Sequence, residues 1–280
     1  MSKNPHPHSL SPEIRSRYSS AQVMERMCAI DLMAVDIDEC LFPGFSQTAL
    51  GHLIFRQIAT RPRSVRDLRF LPQLIRGGMY IRSRELLKKL RRNPTSLELM
   101  RRYERAMEGI PRRYFLDGAK AIPHLSFPGA LRTLRFLGKF APVGLLSFGI
   151  NIIAEEYVRQ LRTEDQPDGI FFSESNEISF SLNQSGIEVF SGYNPPLRTQ
   201  PEEKRRTLEE WLERYGARCP LVIGNSRDEV EMAALAREKN GIAVGFRPPP
   251  DEAAQFDLIV HSNDWLELSS LFENLLGQNK

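Results

Sequence analysis

Beyond Pro128 the chain alternates short apolar runs with helix-period stretches, and few folds accommodate that pattern. Helical periodicity covers 129–137, 152–161 and 202–215. Apolar runs suited to buried strands fall at 142–146, 170–172, 221–223, 241–245 and 258–260. Residues 177–192 read as a hairpin, with its turn at Asn183-Gln184-Ser185-Gly186. Far upstream, the run 29–35 (AIDLMAV) predicts a further buried strand that leads directly into Asp36. Alternation of this kind predicts a parallel sheet covered by helices on both faces. No internal repeat interrupts it.

Between the first strand and the second lies a segment of different character. After Leu41-Phe42-Pro43-Gly44 the pattern is helical for more than about 60 residues. Leu50, Leu53, Ile54 and Ile58 share one helical face. Thr95-Ser96-Leu97-Glu98 has the form of a capping box, and Gly109-Ile110-Pro111 ends the helix that it opens. Charge is concentrated in the same place. From Arg56 to Arg113 there are 17 Lys and Arg against 5 Asp and Glu, leaving 21 basic and 30 acidic residues in the remainder. Such a segment is either a solvated helical surface or a device for attracting anions.

The rest of the composition is that of an ordinary globular protein, 41% hydrophobic and 26% charged. No stretch approaches the roughly 20 apolar residues of a spanning helix. Residues 1–22 read as a flexible polar tail without the apolar core of a secretory signal, and His6 and His8 within it read as solvated. Cys28, Cys40 and Cys219 have no zinc-ligand spacing and fit a reducing, cytoplasmic setting.

In open parallel sheets, ligands bind beyond the carboxyl ends of the strands, so the residues just after each apolar run matter most. Asp36-Ile37-Asp38 follows the first run. Two carboxylates on one side can divide labour between nucleophile and general acid, although a polar turn also explains them. Ser147 follows the run at 142–146 and suits either a helix cap or a phosphate-oxygen contact. Lys204 opens an amphipathic helix, either as a surface cation or as a group that neutralises a phosphoryl oxygen. Gly224-Asn225-Ser226-Arg227-Asp228-Glu229 follows 221–223. Its oxygens suit a hard cation such as magnesium, or else they cap a helix.

Taken in order, these motifs resemble those of the haloacid dehalogenase-like hydrolase superfamily: an Asp-x-Asp after the first strand, a Ser or Thr, a Lys, and an acidic turn after a glycine. The pattern from Gly241 to Asp264 is similar to the end of its phosphoserine phosphatase-like members. The resemblance implies a Rossmann-like α/β core over 23–43 and 128–280, and a mainly helical, basic cap over 44–127. It further implies a magnesium-dependent phosphohydrolase in which Asp36 attacks phosphorus and Asp38 serves as general acid and base. Ser147 and Lys204 would hold phosphoryl oxygens. Magnesium would sit on Asp36, the Asp38 carbonyl and the turn that contains Asn225, Asp228 and Glu229.

The chain departs from that pattern where it matters for the metal. Asn225 occupies the position of the usual first acid of the turn, and Glu229 that of the later Asp. These departures leave open a fold-retaining binding or regulatory protein, and a phosphomutase is a further alternative. The second acid, Asp38, argues against a dehalogenase. The expected partner is a small phosphorylated substrate, and the basic cap suits one with further charge, such as a nucleotide, a phosphosugar or a phospholipid headgroup. Nucleic acid or an anionic membrane surface is the alternative contact for the same charge.

Overall fold

The computed structural model describes residues 14–78, 96–162 and 169–276. Its centre is a seven-stranded sheet in the order β1-β9-β8-β7-β2-β3-β4. These are β1 (Ile14–Ser16), β2 (Leu32–Val35), β3 (Val143–Ile150), β4 (Phe171–Asn176), β7 (Pro220–Gly224), β8 (Ile242–Phe246) and β9 (Leu258–Val260). Every neighbouring pair from β9 to β4 is parallel, and β1 alone runs antiparallel, on β9. The chain starts the parallel set at β2, builds outward through β3 and β4, then crosses back to add β7, β8 and β9 on the other side. The strand order therefore reverses at β2, where an open sheet forms its ligand crevice.

Both faces are covered because successive residues of the central strands are apolar and point to opposite sides. Met33 and Val35 of β2, with Val143, Leu145, Leu221 and Ile223, belong to the larger core. That side carries helices α1 (Ser20–Cys28), α6 (Ala130–Leu137), α7 (Asn151–Leu161) and α10 (Leu266–Leu276). Leu32 and Ala34 point the other way, and with Leu146 and Val222 they meet Leu208, Trp211 and Leu212 of α8 (Pro201–Tyr215) and Met232 and Leu235 of α9 (Val230–Glu238). Full burial on two faces explains why these strands read as unbroken apolar runs rather than as alternating ones.

The insertion after β2 is helical: α2 (Ser46–Thr60), a 3-10 turn (Val65–Phe70), α3 (residues 71–78), α4 (Ser96–Met107) and α5 (Arg112–Ala119). Leu50, Ile54 and Ile58 form the buried stripe of α2. Thr95 of the expected capping box lies outside the described residues. The hairpin β5 (Ile178–Leu182) and β6 (Glu188–Tyr193) turns where expected, Asn183 Oδ1 accepting from Ser185 N at 2.9 Å and from Ile187 N at 3.1 Å. It also belongs with the cap. Phe190 stacks on Phe115 with centroids 5.3 Å apart, and Phe190 N donates to Ile110 O at 2.9 Å.

Two expectations need correction. Residues 14–22, assigned to a flexible tail, form β1 and the start of α1, whose cap Ser19 accepts from Gln22 N at 3.3 Å. The strand expected at 142–146 runs on to Ile150, so Ser147 lies within β3 and is not a helix cap. Among the described residues, no helix is long and apolar enough to cross a membrane.

Candidate active site

Three adjacent strands bring the sequence candidates together. Asp36 follows β2, Ser147 is in β3, and Asn225 to Glu229 follow β7. Asp36 stays in register with its neighbour, its N–H donating to Ile223 O at 2.9 Å. Lys204 arrives from α8. That helix starts at Pro201, where Glu203 Oε2 accepts from Thr199 N at 2.6 Å and Gln200 N at 2.8 Å. Lys204 precedes Thr207, Leu208, Trp211 and Leu212 on the buried face, so helical spacing aims it at the sheet rather than at solvent.

Lys204 Nζ lies 2.7 Å from Asp36 Oδ1 and 2.6 Å from Glu229 Oε1, with all three side chains buried. The ammonium also sits 4.5 Å from the centroid of the Phe148 ring. The other oxygen of Glu229 is committed to its own turn, accepting from Ser226 N at 2.9 Å, Ser226 Oγ at 3.0 Å and Asn225 N at 3.3 Å. A Cβ at Gly224 would run into Glu229 Cγ, which explains the glycine. Both oxygens of Glu229 are thus occupied by protein donors, whereas the expectation had placed it among the metal ligands.

Asp38 takes a different partner from Asp36. The loop after β2 turns through Glu39, whose φ of 59° is left-handed, and Asp38 Oδ1 accepts from Ser46 N at 2.8 Å. It thereby satisfies a free N–H at the start of α2. Ser147 Oγ accepts from Gly149 N at 2.9 Å. A Cβ at Gly149 would stand 3.1 Å from Ser147 Oγ, 3.7 Å from Asp38 Oδ2 and 3.8 Å from Ser46 Oγ, so the missing side chain leaves these oxygens around one open point. Asn176, fully buried, fixes the neighbouring loop by donating to Phe148 O at 2.8 Å and Arg198 O at 3.0 Å.

Electrostatically the site has too few cations. Burial pushes the Asp36 carboxyl well above its ordinary value, and Lys204 only partly opposes this. Burial works against the charge of Lys204 as well, but Asp36 and Glu229 outweigh it and hold the ammonium charged. The Asp38 carboxyl is also raised, chiefly by burial, with the Ser46 contacts pulling the other way. One ammonium between two buried carboxylates leaves negative charge unmatched, and Asp38 and the exposed Asp228 add to it.

Such a donor set fits a hard cation. The Asp36 side chain, the Asp38 backbone carbonyl, the Asn225 amide oxygen and Asp228 are all oxygen donors, and these four residues line one cavity. Among the described residues, however, no group of three or more His, Cys, Asp and Glu side chains is arranged to hold a metal. The fit depends on a carbonyl and an amide as much as on acids.

All seven residues singled out in the sequence line that same cavity: Asp36, Asp38, Ser147, Lys204, Asn225, Asp228 and Glu229. Ser226, read as a possible cap of the turn after β7, does cap it, accepting from Asp228 N at 3.3 Å. Sequence reasoning missed Ser46 and Asn176. Ser46 carried one usable signal, its place at the start of the helical pattern just after an Asp-x-Asp. For Asn176 there was none.

No family model and no curated protein matches the chain. Solved structures do. A cytosolic 5'-nucleotidase IIIB bound to cytidine is similar with a TM-score of 0.61 at 16% identity, over 96% of each chain. A substrate-bound phosphoserine phosphatase gives 0.60 at 13% identity, over 86% of this chain and 98% of that one. A probable phosphoserine phosphatase from Vibrio cholerae gives 0.60 at 13% identity, over 90% and 68%. At such identities the likeness is one of fold, and it agrees with a parallel sheet covered by helices and a helical insertion after β2. The chain has the fold of the haloacid dehalogenase-like hydrolases.

Proposed function

We propose that the protein is a phosphomonoester hydrolase that uses Asp36 as nucleophile. The observation that carries this reading is Asp36 itself: buried at the point where strand order reverses, one oxygen tied to Lys204, and facing the cavity. Such placement fixes the attacking group without solvating it. An Asp36 oxygen forms a bond to phosphorus as the bond to the leaving oxygen breaks, giving an aspartyl-phosphate. Asp38 supplies the proton for the leaving alcohol, and its raised pKa suits a group that must hold a proton. It then takes a proton from the water that attacks the aspartyl-phosphate, and inorganic phosphate leaves with Asp36 regenerated. Ser147 and Lys204 hold the phosphoryl oxygens, and Glu229 positions Lys204. Asp36, the Asp38 carbonyl, Asn225 and Asp228 would hold magnesium, which when bound supplies positive charge against the repulsion between carboxylate and phosphate.

Turnover of a broad panel of phosphate esters with magnesium, by wild type and Asp36→Asn, tests the reading. Hydrolysis by the wild type that is lost in the variant supports it, and equal hydrolysis by both sinks it. Asn225 favours a second reading, a protein that binds phosphorylated ligands without turnover, because a neutral amide stands where the family pattern has an acid. Magnesium-independent binding of phosphate esters with no turnover by the wild type would support that reading instead.

A further inference from the structure

The cavity extends well past the reacting carboxylates, to about 820 Å³. That is room for a ligand of drug-like size rather than for a bare phosphate. Its acids, Asp36, Asp38, Glu39, Asp228 and Glu229, all lie at the strand ends. The cap side contributes no acid among the described residues and is walled largely by hydrocarbon. Phe45, Phe55 and Ile75 are large and apolar yet remain 39%, 36% and 48% exposed, and all three border this cavity. Met100 and Met107 of α4 continue the same wall, and thioethers adapt readily to irregular apolar ligands. Arg76 and Arg105 add methylene stems as well as charge.

Two polar side chains of this wall are committed elsewhere, while the buried Tyr103 hydroxyl has no hydrogen-bond partner among the described residues and Thr48, His52 and Arg76 also border the cavity. Gln47 donates its amide to the Tyr193 hydroxyl, and the Gln73 amide donates to Glu108 O at 3.0 Å and Ala106 O at 3.4 Å. Over Phe45, Phe55, Ile75, Met100 and Met107 a leaving group rich in hydroxyls or amines would lose water with no polar partner among those side chains in exchange. A hydrocarbon one would cover three exposed apolar side chains at once. We infer that the site acts on phosphomonoesters of apolar alcohols, in preference to those of amino acids, glycerol or sugars. This inference rests on the hydrolase reading, since it names the leaving group of that reaction.

The test is kcat/KM with magnesium for ethyl, butyl and hexyl phosphate beside glycerol phosphate and phosphoserine. The alkyl esters have similar leaving-group chemistry, so chain length reports on the wall alone. Burial of each methylene is worth up to about fourfold. The expected result is a rise of about twofold to fourfold per methylene, with hexyl phosphate preferred to both polar esters. Phe55→Asn and Ile75→Asn alter half-exposed positions and should flatten that rise. A wild-type rate independent of chain length, or a preference for phosphoserine or glycerol phosphate, overturns the inference while leaving the phosphatase reading intact. If no ester is hydrolysed, calorimetric titration with ethyl, butyl and hexyl phosphonate takes over. Affinity that climbs with chain length would retain the apolar site and sink the hydrolase reading. Equal affinities would sink the apolar site too.

Discussion

Lys204 and Glu229 meet at 2.6 Å, both almost wholly withdrawn from water, and this contact holds the ammonium that also reaches Asp36. Lys204→Ala would leave two buried carboxylates without their cation. Breaking a buried ion pair from one side costs about 3–5 kcal/mol. Urea unfolding at neutral pH should show a loss of that size, and the gap from wild type should narrow in acid, where the orphaned carboxyls are neutral. A loss below about 1 kcal/mol would mean that water reaches the pair.

Asp36→Asn should abolish turnover and relieve part of the unmatched charge around Lys204. Because burial holds the Asp36 carboxyl well above its usual range, removing its ionisation should not lower the unfolding midpoint by more than a small amount. Beryllium fluoride should form an adduct on wild type and none on the variant, read by intact-protein fluorine NMR. An adduct that persists in Asp36→Asn would place the nucleophile elsewhere.

Asp38 should control the alkaline limb of kcat/KM. As general acid it must be protonated in the free enzyme, so activity is present below its raised pKa and declines as pH rises through it. Asp38→Asn should cost on the order of 10²–10⁴-fold and remove that limb, while magnesium binding persists because only the backbone carbonyl is proposed as a ligand. Loss of metal binding in this variant would show that the side chain coordinates directly.

Asn225→Asp should tighten magnesium binding. A unit charge about 4 Å from the ion is worth roughly 4 kcal/mol at an effective dielectric of 20, so a gain of about tenfold is a conservative expectation. Calorimetric titration measures it, with turnover at limiting magnesium followed in parallel. If neither wild type nor variant binds the ion, the catalytic reading gives way to the binding protein.

The Asp36 and Asn225 motifs were legible because each follows a strand whose full burial makes it conspicuous. Ser147 was legible because it lies in a third such strand, and Lys204 from its place at the start of an amphipathic helix. β9 was expected at 258–260 and lies there. Less was legible where polar residues sit inside strands. Glu174 in β4 pairs with Arg198 and accepts from Trp211 Nε1 at 3.0 Å. Those partners come from a loop and a helix far along the chain, so a local pattern stops the strand at Phe172. The cap was read as basic, and its charge proves to be divided. Arg113 pairs with Asp67 at 3.0 Å and Arg112 with Glu188 at 3.0 Å, while Arg76 and Arg105 border the cavity. Arg82, Arg84, Arg91 and Arg92 lie outside the described residues. That the hairpin would join the cap could not be seen locally, because its Phe180 and Phe190 find Phe115 only in three dimensions.

The pairing of Ile14 with Val260 sets an order of assembly. During synthesis β1 leaves the ribosome well before its seat on β9, more than two hundred residues on, has been made. Until then β1 has no place to dock, and once β9 forms, its open edge is a template for pairing with other chains. A segment already made can cover β9 as soon as it forms. What remains at that border is β1 itself, an edge only three residues long, which offers a poor template for another chain.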